Sequence, residues 1–234
     1  MRLIATPDAA AAAVAAAAEI AAACREAITA RGLALIAVSG GETPWRMLEQ
    51  LRALDLPWER IHLAQVDERI APRDDPRRNL ARLAQILVHD GPLAERQLLT
   101  MPVEADDADA AAAGYQRLLE QLAGAPLRID LVQLGLGSDG HTASLVPGDP
   151  VLEVADRDVA ISGEYQGLRR MTLTFPAIDR ARRRLWLVTG TAKAARLAEL
   201  LDAESADGAP SVRVRRADAT VVADREALAH AAPS

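Results

Sequence analysis

The chain has 234 residues, half of them apolar and only 3% aromatic, with a net charge of −6. That length suits one α/β domain over residues 1–234, its core filled by alanine and leucine rather than by rings. The acidic balance excludes a general basic field for nucleic acid, and a lone cysteine, Cys24, excludes an intramolecular disulfide or a cysteine metal site.

The alanine run from Ala9 to Ala18 is bounded by Asp8, Glu19 and Arg25, so it does not read as a signal peptide. No stretch of the ~18 strongly apolar residues that a membrane span needs is present. These features predict a soluble cytoplasmic protein with no membrane or nucleic-acid partner, and a monomer is favoured. In chain order, Thr6-Pro7 predicts a helix start, and Gly32 predicts its end. Cys24 falls four residues from both Ile20 and Ile28, on the core side of that helix. "LALIAVSGG" reads as a buried strand running into a glycine turn. Thr43-Pro44 opens a second helix, through about Leu54.

"RIHLAQVDER" reads as the next strand, ending in charge at Asp67-Glu68-Arg69. A helix should begin near Arg78–Asn79. Another spans "DADAAAAGYQRLLEQLAG", with Tyr115, Leu118, Leu119 and Leu122 on one stripe. "RIDLVQLGLG", "RRMTLTF" and "RRLWLVTG" read as strands, and "TAKAARLAELL" as a helix. Short apolar strands alternating with helices imply an α/β fold: an open, mostly parallel sheet with helices on both faces. A small appended subregion is expected around residues 145–170.

Ser39-Gly40-Gly41, Asp67-Glu68-Arg69, Gly137–His141 and Gly190–Lys193 each follow an expected strand. In open parallel sheets the ligand crevice lies outside the carboxyl ends of the strands, so these four loops should converge. Gly135, Gly137 and Gly140 spell the dinucleotide-binding pattern G-x-G-x-x-G. Its context fails, because Pro147-Gly148-Asp149-Pro150 stops any following helix after about two turns and no second strand completes the unit. His141 instead suits a general base, with Asp139 near enough to orient it. The bland alternative is a turn histidine that caps a helix.

Ser39, Gly40 and Gly41 ahead of a helix either offer a cradle for phosphate or make an ordinary strand-to-helix turn. Lys193, near the start of a helix, has no dipole reason to be there unless an anion binds; the alternative is an exposed surface lysine. Arg69 could meet an anionic substrate or pair with Asp67. His62 reads as structural, and His89 and His230 as surface residues. With no histidine pair at i,i+4, no metal site is expected.

The stretches "AVSGGETP", "VDERIAP" with Asn79 downstream, "LGLGSDGHTASLVPG", "RRMTLTFPAI" and "LVTGTAKA" resemble the 6-phosphogluconolactonase family, over nearly the whole chain. The resemblance implies a Rossmann-like, sugar-phosphate isomerase type of fold. It also implies hydrolysis of 6-phospho-D-glucono-1,5-lactone to 6-phosphogluconate without metal or redox cofactor. By that resemblance His141 is the base, Arg69 stabilises charge, and Asp67 and Asp139 orient the site. Ser39, Gly40, Gly41, Asn79, Arg170 and Lys193 hold the substrate. Three departures stand out: Arg77-Arg78 for the family's Asp-Ser, Asp179 for its usual asparagine, and Ala209-Pro210 for Leu-Pro. An amino-sugar phosphate isomerase or deaminase is the enzyme alternative, and a non-catalytic sugar-phosphate sensor the other.

Overall fold

The computed structural model describes residues 1–202 and 208–231. In chain order these form β1 (Arg2–Thr6), α1 (Ala9–Arg31), β2 (Ala34–Val38), α2 (Glu42–Arg52), β3 (Ile61–Gln65), β4 (Asp67–Arg69), α3 (Asn79–Ala84), β5 (Leu98–Leu99), α4 (Ala108–Ala123), β6 (Leu131–Leu134), β7 (Val159–Ile161), β8 (Arg170–Leu173), α5 (Phe175–Arg180), β9 (Arg184–Val188), α6 (Ala194–Leu201), α7 (Pro210–Arg213) and β10 (Ala219–Asp224).

Seven strands pair in the order β1-β10-β9-β6-β2-β3-β5, all parallel. Every residue of β2 and of β9 is buried, as expected of strands covered on both faces. The two-residue period of the strand divides them. Ala34, Ile36 and Val38 pack with α1 and α2, while Leu35 and Ala37 pack with Tyr115 and Leu119 of α4. Alanines along α1 let that long helix lie close on the sheet, with Ala12, Ala16, Ile20 and Cys24 inaccessible to solvent.

Several expectations need correction. The first helix is capped by Asp8, whose carboxylate accepts from the Ala11 amide at 2.8 Å. Thr6 instead ends β1, an unread strand, and its hydroxyl donates to the Ala223 carbonyl. Gly32 does end α1, in the left-handed region at φ 83°. The second helix starts one residue before Thr43, and its N-cap is Gly41. Leu118 is 37% exposed, so the buried stripe of α4 is narrower than the spacing suggested. Strands β5, β7 and β10 were also missed; β5 is two residues long and β7 three, too short to carry a period.

The largest correction concerns "RIHLAQVDER", which is two strands in two sheets. Val66 is the pivot: its amide donates to Val38 of the large sheet, and its carbonyl accepts from Leu173 of the small one. Beyond it, β4 joins a three-stranded antiparallel sheet, β4-β8-β7. "RRMTLTF" therefore belongs to that small sheet and not to the parallel one. Sequence alternation alone does not show which partner a strand takes, because an apolar run suits either sheet.

Candidate active site

Strand order reverses between β2 and β6, the place where an open parallel sheet leaves a crevice. A crevice of about 270 Å³ lies there, lined by Ser39, Gly40, Gly41, Asp67, Arg69, Asn79, His141, Arg170 and Lys193. All four strand-end loops reach it. A larger groove of about 730 Å³ runs beside α3 and the edge strand β5, but it gathers none of those loops apart from the buried Arg78 behind one of them.

The glycine motif forms a tight turn rather than a nucleotide-binding strand–helix unit. The Gly137 amide donates to the His141 carbonyl at 2.8 Å, and the Gly140 amide to the Gly137 carbonyl at 3.0 Å. No helix follows; Thr142 and Leu145 instead bridge each other around Ala143 and Ser144. A Cβ on Gly137 would lie 2.2 Å from His141 Nδ1, so only glycine leaves room for the imidazole. Gly140 takes φ 86°, a left-handed turn that reverses the chain toward His141.

Asp139 stands behind His141, with Oδ1 2.6 Å from Nδ1. Burial opposes ionisation of Asp139, but hydrogen bonds and charge from His141, and then the Tyr165 hydroxyl, outweigh it and lower its pKa. An ionised carboxylate at Nδ1 requires the proton on that nitrogen. The neutral imidazole then keeps its Nε2 lone pair for the crevice.

The opposite wall comes from the small sheet. Residues 67 and 69 share one face of β4, and Arg69 pairs with Arg170 of β8 directly across the ladder. Two like charges in that position repel, unless an anion comes between them. Burial lowers the pKa of Arg170, with Arg69 adding to the effect and Asp67 opposing it. Arg69 does not pair with Asp67, contrary to one of the two expectations. Its guanidinium donates to Asn79 Oδ1 at 2.9 Å and to the Arg77 carbonyl at 2.6 Å. Asp67 instead accepts from Ser144 Oγ at 2.6 Å, and Arg170 approaches the same hydroxyl at 3.4 Å.

Glu68 points to the other face of β4 and is fully buried. Its carboxylate accepts from the amides of Arg69, Asn79 and Leu80 and from Gln65 Nε2, so it fixes both Arg69 and the start of α3. Asn79 in turn donates to the Asp67 carbonyl and packs on Gly40, where a Cβ would lie 2.0 Å from Asn79 Oδ1. Ser39 is less available than expected: its amide and hydroxyl both donate to Gln133, across the β2–β6 boundary. The donors left beside that loop are the Glu42 and Thr43 amides at the start of α2, since Pro44 has no N–H and the Trp45 amide donates to the Gly41 carbonyl. Lys193 faces them from the approach to α6, its pKa lowered by burial, with Asp139 pulling the other way.

The departures from the family pattern also have places. Arg78 is buried, bonded to Glu104 Oε1 at 2.8 Å and to the Ala71 carbonyl, with its Nε 3.4 Å from Glu68. Asp179 accepts from the Arg215 amide, away from the crevice, and the methyl of Ala209 packs over Gly140.

A family model described as glucosamine-6-phosphate isomerases/6-phosphogluconolactonase matches residues 7–223. The chain belongs to this family. A 6-phosphogluconolactonase of Synechocystis sp. is 41% identical over 186 residues, covering 77% of this chain and 76% of that protein. One from Mycobacterium bovis is 34% identical over 235 residues, covering 95% of each. Among solved structures, 6-phosphogluconolactonase from Trypanosoma cruzi superposes with a TM-score of 0.86 at 26% identity, covering 97% of this chain and 96% of that one. The trypanosomal structure shares the α/β architecture described here.

Of the ten residues singled out in the sequence, nine line one crevice and Asp139 backs His141. Glu68, Gln133, Ser144 and Tyr165 were missed. Glu68, Gln133 and Ser144 are buried; Ser144 lies in the glycine-rich stretch that carries the resemblance, while Glu68 and Gln133 read as ordinary polar residues near strand ends. Among the described residues no cluster of three or more histidine, cysteine, aspartate or glutamate side chains is placed to hold a metal. No helix among them is long and apolar enough to cross a membrane.

Proposed function

We propose that this chain hydrolyses 6-phospho-D-glucono-1,5-lactone to 6-phospho-D-gluconate, the lactone step of the oxidative pentose phosphate pathway. The observation that carries the reading is a histidine backed by an ionised carboxylate, facing two arginines paired across β4 and β8. The named relatives favour the lactone over the amino-sugar substrates of the same family.

His141 Nε2 takes a proton from water as the water oxygen bonds to the lactone carbonyl carbon. Arg69 and Arg170 offset the negative charge that develops on the carbonyl oxygen. The ring C–O bond then breaks, and the imidazolium returns its proton to the departing ring oxygen. Asp139 holds the imidazole by Nδ1 throughout, and Asp67 holds Ser144 beside Arg170. Lys193 and the Gly40–Gly41 turn take the phosphate, with Asn79 fixing Arg69. No step calls for a metal or a redox cofactor.

Residues 1–234 act as one domain in this reading, since Met171 and Leu173 of the small sheet share a core with Val132 and Trp186 of the large one. The reading needs no group from a second copy, and a monomer is the form proposed. A phosphorylated sugar does not cross a bilayer unaided, so the reading places the protein in the cytoplasm, with its substrate.

The test is hydrolysis of freshly made lactone, with spontaneous decay subtracted, by wild type and His141→Ala. Wild-type turnover should fall about 10²–10⁴-fold in the variant. Turnover that survives the substitution would remove His141 from the role of base. A wild type that spares the lactone but deaminates glucosamine 6-phosphate would overturn the substrate.

A further inference from the structure

The geometry points to Tyr165 as a positioning residue that ties the Asp139–His141 pair to Arg170. This rests on the lactonase reading above. Tyr165 does not line the crevice; it stands behind the groups that do. Its hydroxyl donates to Asp139 Oδ2 at 3.0 Å, the oxygen that His141 leaves free. Its ring meets the His141 imidazole edge-on, with centroids 5.4 Å apart and planes at 63°. The Arg170 guanidinium carbon lies 5.0 Å from the centre of the same ring.

One side chain therefore touches the base, the carboxylate that orients it and a cation of the opposite wall. Each contact has a physical task. A donor on Oδ2 stops the Asp139 carboxylate from rotating, which keeps His141 Nε2 aimed at the crevice. The ring face attracts Arg170, which otherwise faces the like charge of Arg69. Tyr165 is itself held. It closes a two-residue turn with Leu168 through reciprocal backbone hydrogen bonds, and both residues between them adopt left-handed backbone, Gln166 at φ 53° and Gly167 at φ 78°. Gln166 also accepts from Arg170 Nη2 at 3.4 Å.

The groups that act on Asp139 are His141 from its own turn, Tyr165 from this hairpin and Lys193 from the approach to α6. Removing the Tyr165 hydroxyl takes a donor from the ionised form, so Asp139 must titrate at higher pH in Tyr165→Phe.

The experiment compares wild type, Tyr165→Phe and Tyr165→Leu by lactone kinetics and by carbon NMR titration of the Asp139 carboxyl. In Tyr165→Phe the titration should move up in pH. Its kcat should fall about three- to tenfold, with KM within about twofold of wild type. In Tyr165→Leu the lost ring should raise KM as well. An unchanged Asp139 titration together with unchanged kcat in Tyr165→Phe would overturn the proposal. If Tyr165→Leu fails to fold, the phenylalanine variant alone decides. A wild type inactive on the lactone would sink the lactonase reading, while the titration would still decide the tie between Tyr165 and Asp139.

Discussion

Two clusters of charge sit at opposite ends of the large sheet, built from the same residue types with opposite outcomes. At the N-terminal ends of the strands, Asp130 is 6% exposed and accepts from the Leu35 amide at 2.9 Å, while Arg31 and Arg182 close on it from the surface. Cations there neutralise a buried carboxylate. At the C-terminal ends, the carboxylates are occupied by other donors: Asp67 by Ser144, Glu68 largely by backbone amides, Asp139 by His141 and Tyr165. Arg69, Arg170 and Lys193 face the crevice, and among the described residues no carboxylate is bonded to any of them. A cluster whose carboxylates are already satisfied is prepared for an external anion; one whose carboxylate depends on its arginines is a structural lock.

The comparison is tested hardest by exchanging losses between the two ends. Arg170→Met should lower kcat/KM about 100-fold, the worth of a charge-assisted contact, with little change in Tm because an apolar chain replaces a buried charge. A large drop in Tm would make Arg170 a structural residue like Arg182. Asp130→Ala should do the reverse, costing about 2 kcal/mol by leaving the Leu35 amide unsatisfied, while kcat/KM stays as in wild type. Thermal unfolding followed beside lactone kinetics would read both variants.

Lys193→Ala should raise KM about tenfold with kcat nearly unchanged, since a phosphate contact is alike in ground and transition states. The lowered pKa of Lys193 adds a pH signature with a definite sign. Its protonated form binds the anion, so affinity for 6-phosphogluconate should weaken as pH rises through that lowered value, below the ordinary lysine range. Calorimetric titration with the stable product avoids lactone decay in alkali, and affinity flat up to the ordinary lysine range would remove Lys193 from the phosphate site. The smallest effect belongs to Glu104→Gln. Glu104 is 46% exposed and shares Arg78 with the buried Glu68, so unfolding should show a loss of less than about 1 kcal/mol.

The arginine clusters show how far the sequence could be read. Arg77–Arg78, Arg169–Arg170 and Arg182–Arg184 look alike as text. In the structure Arg78 braces Glu68, Arg170 faces the crevice, and Arg184 is buried against the carbonyls of Asp179 and Ala181. His141 was legible because a glycine-rich turn after a strand is a local feature. Tyr165 was not, since the Asp139–His141 turn it touches lies on a different stretch of chain, Asp139 being 26 residues before it.

By itself the sequence determined the alternation of buried strands and helices, the glycine turns at strand ends and the family. These follow from local conformational preference and from the two-residue and 3.6-residue periods, which each segment carries alone. Only the tertiary structure decided that Val66 passes the chain from one sheet to the other, that Arg69 lies opposite Arg170, and which carboxylates are already satisfied. Pairing and desolvation depend on partners distant in the chain, and no local pattern encodes which partner arrives.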